Sequence, residues 1–117
     1  MIDVTSKEIE QLLSQAQIYQ QQIQAILTQK SVFNLEIGEI KKAMEELEKT
    51  KETTAYKISG PILIKSNVKS LKRDLKDKID FLNLKLKNIE KQESMLKEKI
   101  GGLREKLSEI EAPETAG

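Results

Sequence analysis

Two heptad stripes run toward the middle of this chain from its two ends, and they are in mirror register. In the first, position a is Ile9, Ala16, Ile23, Lys30, Ile37 and Met44, and position d is Leu12, Tyr19, Ile26, Phe33, Ile40 and Leu47. In the second, a is Ile79, Leu86, Glu93, Ile100 and Leu107, and d is Leu75, Leu82, Ile89, Leu96, Leu103 and Ile110. A seam this narrow asks for a partner helix, not for a broad core. Antiparallel pairing sets an a layer against a d layer. Ile9 with Ile110, Leu12 with Leu107, Ala16 with Leu103, Ile37 with Leu82, Ile40 with Ile79 and Met44 with Leu75 all have residue numbers that sum to 119. The midpoint falls between Ser59 and Gly60, so each half of the chain is the other's partner, folded back there. Lys30 and Glu93 are the polar breaks in the stripes. In this register they lie diagonally within reach of each other. They read as an ion pair that sets register at some cost in stability, or as two side chains that snorkel outward separately.

Between the stripes lies Tyr56-Lys57-Ile58-Ser59-Gly60-Pro61-Ile62-Leu63-Ile64-Lys65, the one stretch that reads as strand. Ser59-Gly60 is the expected turn. Pro61 lacks an N–H, which argues against a simple two-residue hairpin, and a wider loop over residues 58–61 is as consistent. The continuous apolar run Ile62-Leu63-Ile64 suggests burial on both faces. Thr5 or Ser6, with Glu8, begins the first helix as a capping box; Ser66 or Asn67 begins the second. The expected elements are a helix over 7–50, a β-hairpin over 54–65, a helix over 67–111 and a disordered tail over 112–117, in one domain spanning 1–117. The fold class is mainly α: a long antiparallel coiled-coil hairpin joined by a single β-hairpin.

That hairpin is not expected to stand alone. Two strands are marginal in water, and exposed apolar edges associate. Tyr56, Ile58, Ile62, Leu63 and Ile64 have no third layer in the chain to cover them. They are the candidate oligomerisation residues, pairing with hairpins of other subunits into a closed sheet or β-barrel. The alternative is that they fold back on the helix ends.

Composition narrows the chemistry. The chain has no Cys and no His, so thiol chemistry and a His-based acid/base mechanism are out of reach and a soft-metal site has no ligands. No metal, no cofactor and no enzyme activity is expected. Residues 1–52 hold six lysines against nine carboxylates, whereas residues 65–106 hold thirteen Lys and Arg against seven. An acidic arm facing a basic one favours their mutual pairing. Nucleic-acid binding by the basic arm is the weaker reading, because Asp74, Asp77, Asp80, Glu90 and Glu93 interrupt it and only Phe81 offers a stacking ring. No apolar run reaches the ~18 residues of a membrane span, and no signal-peptide core opens the chain. A cytoplasmic protein with no membrane and no nucleic-acid partner is expected.

The chain resembles the β class of prefoldin subunits. The residues that carry the likeness are Tyr19-Gln20-Gln21-Gln22 and Gln29-Lys30, Ala43-Met44-Glu45-Glu46-Leu47, the root Tyr56-Lys57-Ile58-Ser59-Gly60 with Leu63-Ile64-Lys65, and Lys91-Gln92-Glu93. The α class carries two hairpins at the root; this chain has room for one. Pro61 and Gly101-Gly102 depart from the pattern. The resemblance implies a hetero-hexamer of two α and four β subunits, with hairpins joined in β-barrels and coiled coils hanging from them. It implies an ATP-independent holdase of archaea or the eukaryotic cytosol that captures unfolded polypeptides and delivers them to a group II chaperonin.

Client capture then belongs at the free end of the arms. There Ile9, Leu12, Leu13 and Ala16 meet Leu103, Leu107 and Ile110, with Ile2 and Val4 just ahead of the coil. Leu13 lies outside the seam. Gly101-Gly102 makes that end easier to fray, which would expose seam residues to clients. The alternatives are ordinary seam packing and, for the whole chain, a tethering rod without chaperone activity.

Overall fold

A computed structural model describes residues 5–111. Helix α1 spans Ser6–Lys49, strand β1 Thr54–Ser59, strand β2 Ile62–Asn67 and helix α2 Val68–Glu111. The expected tail at 112–117, and Ile2 and Val4, lie outside the described residues. Lys30–Lys87 form one compact unit, which contains the hairpin. The segments up to Gln29 and from Asn88 form a second.

Local chemistry sets the ends of the helices. The Glu8 N–H donates to Thr5 Oγ1 at 3.1 Å, so Thr5 is the N-cap of α1. At its other end the Thr50 N–H still reaches the Glu46 carbonyl at 3.2 Å. Thr50 Oγ1 then accepts the Glu52 N–H at 3.2 Å, which turns the chain out of the helix. Asn67 Oδ1 accepts the N–H groups of Lys69 at 2.8 Å and Ser70 at 3.3 Å, so Asn67 is the last residue of β2 and the N-cap of α2.

In each unit the a and d side chains of both helices are buried or half-buried. The root unit, Lys30–Lys87, has a core of Ile37, Ile40 and Leu82, with Phe33, Met44, Leu75, Ile79 and Leu86 packed against it. All eight are a or d residues of the two heptad stripes. In the terminal unit Ile23, Ile26 and Ile89 are buried.

The hairpin corrects the expected turn. β1 and β2 pair antiparallel from Thr54↔Asn67 to Ser59↔Ile62, so the turn residues are Gly60 and Pro61. Gly60 has φ +57 and the Pro61 ring holds its own φ near −65°. A left-handed first residue followed by a right-handed second is a type II′ turn, whose twist matches that of the strands. Pro61 is no obstacle. The bonds that close such a loop are exchanged by Ser59 and Ile62, and the N–H that Pro61 lacks would not have served either strand. The strands therefore centre one residue later than the midpoint of the heptads.

Candidate functional site

The register of the hairpin distributes its apolar side chains over both faces. Tyr56 and Ile58 of β1 share one face with Leu63 of β2, and Ile62 and Ile64 lie on the other. The expected burial of Ile62-Leu63-Ile64 on both faces is not met within one chain, where all three are exposed. Ile58 is 75% exposed and its direct cross-strand neighbour Leu63 is 66% exposed. Tyr56 is exposed as well. Cover from the rest of the chain reaches only the helix end of the hairpin, where Thr54, Ala55 and Ser66 are half-buried. Pairs alternate between hydrogen-bonded and open along an antiparallel ladder. With Ser59↔Ile62 bonded, the open pairs are Ile58↔Leu63, Tyr56↔Lys65 and Thr54↔Asn67. Their N–H and C=O groups point outward along both edges, and a further strand could pair with them.

Beneath β1 lies a groove of about 520 Å³. Ala43, Leu47, Leu71 and Leu75 form its apolar floor, and Glu46, Glu52 and Asp74 stand at its rim. Nothing in the heptads announces it, because it forms where the strand leaves the coil.

The second surface is in the terminal unit, where α1 begins and α2 ends. Ile9, Leu12, Ala16, Leu103, Leu107 and Ile110 are half-buried there, in contrast to the buried Ile23, Ile26 and Ile89. Leu13 is 53% exposed. Leu12 and Ile110 face a groove of about 530 Å³ whose walls are Glu8, Gln11, Gln15, Lys106 and Glu109. The polar walls were not legible from the stripes, since positions off the seam have no period of their own to betray a groove. A further hollow of about 360 Å³ lies between Ile26, Met95 and Leu96, with the amides Gln22 and Gln92 beside it. Lys99 Nζ stands 5.9 Å from the centroid of the Tyr19 ring, a cation–π contact across that part of the seam.

Glu93 is buried in the terminal unit and its carboxylate meets Lys97 Nζ at 3.5 Å, one turn on. Lys30 is half-buried in the root unit. Among the described residues no group of His, Cys, Asp and Glu could hold a metal ion, and no helix is long and apolar enough to cross a membrane.

A family model for prefoldin subunits matches residues 10–111, nearly the whole helix–hairpin–helix unit. The chain belongs to the prefoldin family. Its relatives place it in the beta class. The prefoldin subunit beta of Pyrococcus furiosus is 34% identical over 111 residues, which cover 94% of this chain and 95% of that one. The prefoldin subunit beta of Thermococcus onnurineus is 38% identical over 87 residues, covering 74% and 75%. The crystal structure of the prefoldin beta subunit from Thermococcus strain KS-1 superposes with a TM-score of 0.85 at 32% identity, over 97% of this chain and 99% of that chain. Prefoldin subunits are components of a chaperone, and the helical coiled-coil architecture seen here is theirs. Pro61 sits within this prefoldin root as the second turn residue. Gly101 and Gly102 sit within an unbroken α2.

Proposed function

We propose that this prefoldin subunit is an ATP-independent holdase that binds unfolded polypeptides at the free end of its helix pair and passes them to a group II chaperonin in the cytoplasm. The observation that carries the reading is the change along the seam. Isoleucines 23, 26 and 89 are buried, whereas Leu12 and Ile110 are half-buried against an open groove with exposed Leu13 beside them. An apolar surface of this kind, narrow and edged by glutamates and glutamines, can hold an extended client segment without inviting its own aggregation. At the other end of the chain the exposed apolar hairpin supports assembly with two α and three further β subunits into a hexamer, through strand pairing that closes into barrels. Neither step needs a cofactor.

The deciding experiment uses the assembled complex. Leu12, Leu13 and Leu107 are changed together to Ser, and suppression of aggregation of a chemically denatured protein is measured beside the native mass. Weaker suppression at unchanged mass is expected. Full suppression by the intact variant complex would remove the end of the arms as the client site. A wild-type complex that gives no protection at all would leave a tethering rod in its place.

A further inference from the structure

The terminal unit repeats one surface feature. The hollow floored by Leu12 and Ile110 recurs along the helix pair, floored there by Ile26 and Leu96. The step is the same on both helices, fourteen residues from 12 to 26 and fourteen from 110 back to 96. The walls follow it: Glu8 gives way to Gln22, Lys106 to Gln92 and Glu109 to the exposed Met95. Fourteen residues are two heptads, so the supercoil returns both hollows to one face of the helix pair. At 1.5 Å per residue they stand about 21 Å apart. Tyr19 and Leu103 are the d residues of the layer between them, and Lys99 Nζ lies over the Tyr19 ring.

Three features fit this face to an extended, uncharged, apolar segment of polypeptide. The first is spacing. An extended chain advances about 3.4 Å per residue, so about six residues bridge the hollows. Six is even, and side chains an even number apart in a strand point to the same side. A side chain five or seven residues along would point away from the second hollow. The second is hydrogen bonding. Gln11 and Gln15 edge the first hollow, and Gln22 and Gln92 the second. Among the described residues none of these four amide side chains is engaged in a hydrogen bond. Each offers both a donor and an acceptor, which the C=O and N–H groups along a strand edge require. The third is charge. The charged lining residues are Glu8, Glu109, Lys99 and Lys106, two of each sign, so no net field draws in a charged segment.

We propose that an extended client segment lies along this face, with bulky apolar side chains about six residues apart seated in the two hollows and its backbone bonded by the glutamine amides. The proposal rests on the client-binding reading above. It adds a second seat, two heptads in from the end of the arms, and a spacing rule for the client.

The test uses the assembled complex and labelled peptides of serine and glycine that carry two phenylalanines five, six or seven residues apart, or one phenylalanine alone. Fluorescence anisotropy should show the six-residue spacing binding about tenfold tighter than the other three, the gain from partly burying one more apolar side chain. Ala25→Glu sets a charged side chain at the wall of the second hollow from an exposed helix position and leaves the seam unchanged. In that variant the four peptides should bind alike. A six-spaced peptide that binds no tighter than the single phenylalanine, or a tightest binder at another spacing, overturns the two-seat site. If the same complex still suppresses aggregation of a denatured protein, capture at the end of the arms stands without it. A preference for six that survives Ala25→Glu overturns the second hollow as a seat. A wild-type complex that gives no protection and binds no peptide overturns the client reading, and this inference with it.

Discussion

The Val68 N–H donates to the Thr53 carbonyl at 2.9 Å, one rung beyond the last strand pair of the hairpin. It falls where the alternation of the ladder places a bonded pair. The ladder thus runs without a break into the first residue of α2. Val68 is buried, and Asn67 is strand end and helix cap at once. β2 therefore passes into α2 with no linker, while α1 reaches β1 through the four residues 50–53. Within the root unit the hairpin takes its direction from α2.

Asn67→Ala should accordingly be costly for a single exposed side chain. It removes two acceptor contacts to the first turn of α2, and loss of such a cap costs about 0.5–2 kcal/mol. Urea unfolding of the assembled protein, followed by circular dichroism, should show that drop. Asn67→Asp, which keeps an acceptor oxygen at the same place, should restore most of it. An Ala variant as stable as wild type would mean that the bond from Val68 alone holds the junction.

The turn separates two residues that the sequence treats alike. Gly60 at φ +57 occupies a conformation that a side chain strains, by about 1–3 kcal/mol. Nothing lies within 4 Å of a Cβ built there, so backbone strain and not crowding would set the cost of Gly60→Ala. Pro61→Ala keeps every ladder bond and gives up only the stiffening of the unfolded chain, about 0.4–1 kcal/mol. Thermal melts of the two variants should rank in that order. The reverse ranking would show that the turn is not type II′ in solution.

Much of this architecture was legible before any coordinates, and the reason is local. A heptad seam is written in every seventh residue, so Ile37, Ile40 and Leu82 announce both their burial and their partners. The turn was misread by one residue because Pro61 was credited with a hydrogen bond that belongs to Ile62. The burial expected for Ile62-Leu63-Ile64 failed for a different reason: an apolar run says that cover is required, but not that the same chain supplies it. The groove at Leu12 and Ile110 was half legible, since its apolar floor lies on the stripe and its walls do not. The exposed Val32, Leu35 and Leu84 lie off the 3.5-residue period and carry no signal in it, and Phe81 was read only as a possible stacking ring.

The cross-strand pair Ile58↔Leu63 offers the sharpest test of the root. The pair is open, so the two side chains stand close together on one face. Ile58→Lys with Leu63→Lys places two like charges on that face and removes most of its exposed apolar surface. The single chain has nothing packed there to lose, so helix content should stay at the wild-type level. Sedimentation should show the assembly falling to single chains or small oligomers. An unchanged sedimentation coefficient would mean that the other face, with Ile62 and Ile64, is the one that joins subunits.

Three glycines lie inside helices with open space where a Cβ would go: Gly38 in the root unit, and Gly101 and Gly102 in the terminal unit. Each should gain about 1 kcal/mol of helix stability on change to Ala. All three substitutions should raise the melting temperature, but they should differ in function. If clients are held by seam residues that open near Leu103 and Leu107, stiffening α2 at 101 and 102 should weaken aggregation suppression. Gly38→Ala, remote in sequence from that end, should leave suppression as it was. The two variants gain about 2 and about 1 kcal/mol of helix stability at different places, so each single change at 101 and 102 is compared with Gly38→Ala to match the gain and vary only its place. Equal suppression by both variants would show that the client is bound on the closed groove beside Leu12 and Ile110, with no opening of the seam. Weaker suppression by both would tie capture to the pliancy of the whole arm and not to its end.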